Sequence, residues 1–299
     1  MAAACALVTA HAQTPVPEAT SLFGQPLFSP PMAGAQKARL EADLARAEAD
    51  LAAHPDSAEA AVWVGRRLAY LGRYRDAIAA YTKGIAINPD DPRLYRHRGH
   101  RYITVRDFDR AIIDLAKAAA LVKGKPDEVE PDGAPNAENK PRSTLQSNIW
   151  YHLGLAYYLK GDFTSALQMY REGMKVSAVN DDMLVATSDW LYMTLRRLGR
   201  DAEAKAVLEP IRERMDVIEN EAYHQRLLMY KGLRTPESVL NLNTADDIQI
   251  ATQGYGVGNW YLVNGDVRKA REIFEKVTSG RAWAAFGCIA AEADLKRGF

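Results

Sequence analysis

His97 and His100 stand three residues apart, Asp107 and Asp109 follow them, and His152 lies further on. Histidines at i and i+3 share one face of a helix, which is how a helix presents two ligands to a metal. Here Arg93, Arg96, Arg98 and Arg101 are interleaved with the pair, and their charge repels a divalent cation. No metal site is expected, and His97 is read as a packed or capping histidine. Gly254-Tyr255-Gly256-Val257-Gly258 has the look of a phosphate-cradling loop, but Gly258 falls on a recurring small-residue position of the chain and is read as structural. There is no G-x-S-x-G element and no pair of carboxylates placed as two acids. Catalytic residues are therefore none, cofactors none, and no enzyme activity is expected. Cys5 and Cys288 have no Cys or His at a zinc-ligand or redox spacing.

The elements that would position any site come from an internal period. Gly65, Leu68, Leu71-Gly72-Arg73-Tyr74, Ala77-Ile78 and Tyr81 form one unit, and a shift of 34 returns Gly99, Tyr102, Arg106-Asp107-Phe108, Ala111-Ile112 and Leu115. Small residues at Gly65, Gly99, Ala77 and Ala111 let two helices approach, while Tyr74 and Phe108 plug the turn between them. A third copy carries Trp150, Leu153-Gly154, Tyr157, Gly161-Asp162-Phe163, Ala166-Leu167 and Tyr170. A fourth, at 185–216, has Tyr192 where the glycine is due, so its helix pair is expected to be spaced differently. Residues 219–247 read as a degenerate unit, and the last good copy, at 251–284, has Gly258, Tyr261, Gly265, Ala270 and Phe274 before a terminal helix. Leu40, Leu44, Ala47 and Leu51 form the apolar stripe of a preceding helix.

This pattern resembles the tetratricopeptide repeat (TPR) over about residues 36–297. The resemblance implies an all-α fold: a right-handed TPR-type superhelical solenoid of antiparallel helix pairs. The expected organisation is a signal remnant and Pro-rich disordered N-terminus at 1–33, a capping helix plus two regular units at 34–124, an acidic Pro-rich loop at 125–146, and further units with a C-terminal capping helix at 147–299. In such folds the first helix of each unit lines the concave face where partner peptides lie. Carried over by position, that face holds Glu59, Val62, Arg66 and Ala69, then Arg93, Arg96, His100 and Ile103, then Asn148, Tyr151, Leu155 and Tyr158. The expected peptide groove is Arg66, Arg93, Arg96, His100, Asn148, Tyr151, Leu155 and Tyr158, a basic mouth with an aromatic floor.

Charge supports that choice. The chain has 38 basic and 38 acidic residues, so nothing draws it globally to a phosphate polymer, and nucleic acid is not an expected partner. Yet residues 58–123 hold 13 Lys/Arg against 7 Asp/Glu. The following stretch, 124–143, has four prolines, five acids and almost no apolar side chains, which describes an exposed loop. Its opposite charge suggests that it lies across the basic mouth and competes with partners.

No apolar run approaches the roughly 20 residues of a membrane-spanning helix. Ala10-His11-Ala12 before Gln13 resembles a secretory cleavage site without its basic n-region, giving a periplasmic or secreted location, with the cytoplasm as alternative. The whole arrangement is similar to exported bacterial TPR adaptor lipoproteins that scaffold envelope hydrolases, which implies a non-enzymatic adaptor for protein or peptide partners, acidic ones by the charge of the mouth, and leaves a homodimer open. The alternative is a structural or self-assembling accessory subunit acting through its convex face or terminal helices.

Overall fold

The computed structural model describes residues 16–299. The cleavage-site motif and Cys5 lie outside the described residues.

Fourteen helices account for nearly all regular structure among the described residues. After α1 (Gly34–Ala53) they run as antiparallel pairs: α2 (Ala58–Tyr70) with α3 (Tyr74–Ile87), α4 (Pro92–Thr104) with α5 (Phe108–Val122), α6 (Leu145–Lys160) with α7 (Phe163–Ser177), α8 (Asp181–Arg197) with α9 (Asp201–Val207), α10 (Glu221–Tyr230) with α11 (Pro236–Val239), and α12 (Asp247–Val263) with α13 (Val267–Thr278). The chain ends in α14 (Phe286–Arg297).

Local chemistry sets these boundaries. Ser57, Asp91, Asp107, Thr144, Asp162, Asn180 and Asp266 each accept a hydrogen bond from a backbone N–H of the helix they open, contributing about 1 kcal/mol apiece. The turn inside each regular pair contains one residue in the left-handed region: Gly72, Arg106, Gly161, Gly199 and Gly265. Arg106, at φ 68°, is the one non-glycine of that set.

Pairing follows the small residues. A Cβ on Gly99 would stand 2.7 Å from Leu115 Cγ, on Gly154 2.7 Å from Tyr170 Cε1, and on Gly258 2.5 Å from Phe274 Cε1, and on Gly65 it would overlap the Tyr81 ring. The partner is always sixteen residues on, so each first helix receives a large buried side chain from the second. Tyr192 breaks the rule in the fourth unit. Its ring stacks on Tyr230, 4.3 Å between centroids, and the second helix, α9, ends at Val207.

Two features depart from expectation. Residues 16–32, expected as disordered, form a two-stranded hairpin, β1 (Ala19–Thr20) with β2 (Pro26–Leu27). It is fastened by Trp283 Nε1 donating to Phe28 O at 2.7 Å, Ser29 Oγ donating to Gly72 O at 2.5 Å, and the Arg75 N–H donating to Glu18 Oε2 at 3.0 Å. Secondly, α14 does more than cover the last pair. It packs on α12, α13 and α6, so the C-terminus returns along the first helices of the middle units.

Candidate functional site

The first helices bring part of the expected groove together. Arg66 from α2 and Arg96 and His100 from α4 line one cavity of about 150 Å³ with Tyr70, Tyr81, His97 and Arg101. Arg66 lies over the Trp63 ring, 4.6 Å from its centroid, and donates a long hydrogen bond, 3.5 Å, to Tyr70 Oη. Arg101 lies 5.5 Å from the Tyr74 ring centre. Among the described residues, neither Arg66 nor Arg101 has a carboxylate within 4 Å.

The remaining wall belongs to the loop. Glu130 is buried at 8 % exposure, against the expectation that this segment stays exposed. Its Oε2 lies 3.1 Å from Arg96 Nε but off the hydrogen-bond line, and its Oε1 lies 3.2 Å from His97 Nε2. Asn148 Nδ2 donates to Oε2 at 2.9 Å. Burial works against the Glu130 charge, but Arg96 and His97 prevail and hold the carboxyl well below the usual range. Arg96 donates to His97 Nδ1 at 3.0 Å, which leaves the proton of a neutral ring on Nε2, toward Glu130. Burial and the neighbouring Arg96 push His97 down to about 3. His100 and His152, ring centres 4.4 Å apart, are pushed well below their ordinary value by burial first, and then by Arg101 and His152 in the case of His100 and by Arg96 in the case of His152.

The other expected groove residues are elsewhere. Arg93 is held at the rim by Asp91, with Nη2 2.6 Å from Oδ2, and by Glu59 at 3.9 Å. Tyr151 is a framework residue: its hydroxyl accepts from Trp190 Nε1 at 2.7 Å and is hydrogen-bonded to Tyr223 at 2.7 Å. With Asn148, His152 and Phe286 it lines a second cavity of about 220 Å³. Leu155 and Tyr158 are fully buried and line no groove. The cause is the later helices: Tyr158 packs edge-on against Trp190 of α8 and Tyr255 of α12, and α14 runs back along α6. Phe286 stands against His100 and Tyr151, the Tyr158 and Tyr255 hydroxyls are hydrogen-bonded at 2.7 Å, Tyr255 Oη donates to Asp294 Oδ2 at 2.9 Å, and Arg297 donates to Leu159 O at 2.6 Å. The chain's own helix occupies the concave channel of the third unit, and the accessible basic portion narrows to the first two.

Arg101, Tyr70 and Glu130 line the same cavity and lie outside the expected set. Tyr70 and Arg101 each stand one residue beyond an inward-facing position of their helix, and Glu130 sits among prolines with no periodicity to mark it. Cys288 is buried, and its thiol is pushed up to about 11 by that burial, which makes it a packing residue.

Comparison with known proteins bears on the same segments. Family models described as "TPR repeat" and "Tetratricopeptide repeat" match residues 65–103 and 147–180. Both segments match the tetratricopeptide repeat. The first spans α2 to α4 around the cavity; the second spans α6 and α7. The BBSome complex member BBS4 of Bos taurus is 27% identical over 141 residues, 47% of this chain, and the chain spans 23% of that protein's length. Among solved structures, a tetratricopeptide repeat protein from Parabacteroides merdae is similar over 86% of this chain and 94% of its own, with 14% identity and a TM-score of 0.47. YrrB, described as a TPR protein with an unusual peptide-binding site, is similar over 78% and 91%, with 14% identity and a TM-score of 0.43.

Proposed function

We propose that the chain is a non-enzymatic TPR adaptor that binds an acidic segment of a protein partner at the concave mouth of its first two units. The observation that carries this reading is Arg66 and Arg101 beside an open cavity, neither with a carboxylate within 4 Å among the described residues. A desolvated guanidinium lacking a counter-charge costs stability, and a partner carboxylate supplies both the charge and a planar acceptor for the guanidinium fork. The other buried arginines have partners: Arg226 Nη2 lies 2.7 Å from Asp189 Oδ2, and Arg197 Nη1 2.8 Å from Asp294 Oδ2.

The test is capture from an extract under crosslinking by the wild-type chain and by Arg66→Gln/Arg101→Gln. Loss of a defined set of proteins by the variant supports groove binding; equal retention refutes it. The accessory-subunit reading has weaker support. Ile87 and Ile113 are exposed at 51 % and 67 %, but single exposed apolar residues are ordinary. Ile289, Ala290, Ala291 and Ala293 of α14 are buried inside the protomer, which leaves that helix little surface for a dimer. For location we keep the cell envelope, on the motif Ala10-His11-Ala12; a native protein whose N-terminal residue is Gln13 would support export, and one still carrying residues 1–12 would refute cleavage.

A further inference from the structure

The connection from α5 to α6 takes residues 123–144, whereas residues 88–91 suffice between α3 and α4. The packing of α5 on α6 therefore does not require the extra chain, and where that chain goes matters. It crosses the first helices of three units. Arg67 Nη1 on α2 donates to Gly133 O at 2.9 Å; Arg96 and His97 on α4 hold Glu130; Asn148 on α6 donates to the same carboxylate. Its backbone is extended there, with Val129 bridged antiparallel to Thr144 and the Glu130 N–H donating to Ser143 O at 2.9 Å. At Gly133 a side chain would run into the Tyr70 ring and hydroxyl. Around these two anchors Glu128, Val129, Pro131 and Ala134 are exposed, Val129 at 60 %, while Asp132 between them is half-buried with Oδ2 unpaired.

An extended strand that inserts one carboxylate and one small residue into a basic concave mouth is bound as a peptide ligand is bound. It fills the mouth incompletely, because Glu130 meets Arg96 and leaves Arg66 and Arg101 facing the cavity. We propose that residues 129–133 are an internal pseudo-ligand, displaced by a partner segment that carries an acidic residue with a small residue three positions later and that adds carboxylate contacts to Arg66 and Arg101. This rests on the groove reading above and adds its regulation and the chemistry of the partner. A tethered competitor acts at an effective concentration in the millimolar range, so it lowers apparent partner affinity by the fraction of time the mouth is open. Anchoring confined to Glu130 and Gly133 suits that task, since a partner has only those two contacts to replace in the mouth.

The experiment uses the full chain and a synthetic peptide of residues 127–135, titrated to millimolar concentration and followed by NMR. Glu130→Gln/Gly133→Val undocks the tethered copy. The expected result is peptide binding to this variant at least tenfold tighter than to wild type, lost again when Arg96→Gln is added. Equal affinity for wild type and variant, or no binding to a variant that melts with wild type, overturns the proposal. Should the variant fold poorly, hydrogen exchange on the wild-type chain decides: the Glu130 amide should exchange at least a hundredfold faster than the core amides of α4 and α6, and exchange at their rate overturns it. The peptide titration needs no cellular partner, so its failure is separable from failure of the groove reading. A captured partner that binds wild type and the undocked variant equally would refute the plug while leaving the groove intact.

Discussion

Arg106 and Glu292, far apart in sequence, form a buried ion pair, Nη2 to Oε2 2.7 Å, with both side chains under 5 % exposed. Arg106 is the turn residue of the second unit and Glu292 lies in α14. Arg106 Nη2 also donates to Trp283 O at 2.9 Å, and Glu292 accepts from the Leu22 N–H. One pair thus joins the N-terminal hairpin, the second repeat and the returning C-terminal helix. It also explains why an arginine tolerates a left-handed backbone that the equivalent positions give to glycine.

Removing one member of this pair leaves a buried charge. Arg106→Ala should destabilise the chain by about 3–5 kcal/mol, and Arg106→Gly by about 1 kcal/mol less, because glycine carries no strain at that φ. Urea denaturation of the two variants checks both the size and the order; Arg106→Ala as stable as Arg106→Gly would contradict the strain account.

The repeat geometry makes a paired prediction. Gly65→Ala sets a methyl group against the buried Tyr81 ring and should cost about 1–3 kcal/mol. Gly34, at the open start of α1, has nothing within 4 Å of an added Cβ, and Gly34→Ala should leave the midpoint of unfolding unchanged or slightly higher. A gain in both would mean that helix propensity, and not packing against Tyr81, governs Gly65.

The fold was legible where spacing alone sets the contact. The glycine and its large partner sixteen residues on are local, so Gly65, Gly99, Gly154 and Gly258 announce their helix pairs, and Tyr192 announces the exception. The hairpin at 16–32 was not legible, because it is held by single long-range bonds such as Trp283 to Phe28 O that no period records. Leu155 and Tyr158 occupy lining positions for a related reason: their spacing is that of a concave face, and the long-range packing of α8, α12 and α14 that buries them leaves no mark in the period. For the candidate site, the repeat positions bring Arg66, Arg96 and His100 to one cavity, whereas Glu130 enters it through a loop whose composition indicates exposure.

Acid should weaken the folded chain in two stages. His97, His100 and His152 have folded pKa values below the ordinary 6.5, that of His97 at about 3. Such groups take up protons on unfolding, so stability is complete above about pH 6.5 and declines as pH falls from there toward 3, by up to about 1.4 kcal/mol per pH unit for each histidine. Glu130, whose folded pKa is depressed, adds a second loss below its unfolded value of about 4.5. Urea midpoints at pH 7.5, 6.0 and 5.0 should fall in that order; a flat series would show that these rings are solvated.

Arginines with and without partners should respond oppositely. Arg226→Leu strands the buried Asp189 carboxylate and should cost about 3–5 kcal/mol. Arg101→Leu removes a half-buried cation with no carboxylate within reach and should leave the melting temperature unchanged or raised, as expected where a binding residue is kept at the expense of stability. Thermal unfolding of the two variants checks this, and a loss in Arg101→Leu as large as in Arg226→Leu would make Arg101 part of the framework.

The central claim is that the concave mouth of the first two units binds an acidic protein segment through Arg66 and Arg101. The most direct measurement is quantitative capture by wild type and Arg66→Gln/Arg101→Gln, matched for thermal stability. Arg96 and Tyr151 are left intact, because both hold the framework together. A defined set of partners lost from the variant, and recovered by wild type in a salt-sensitive manner, is the predicted result. The same partners retained equally by both would place the interaction away from this mouth and contradict the account.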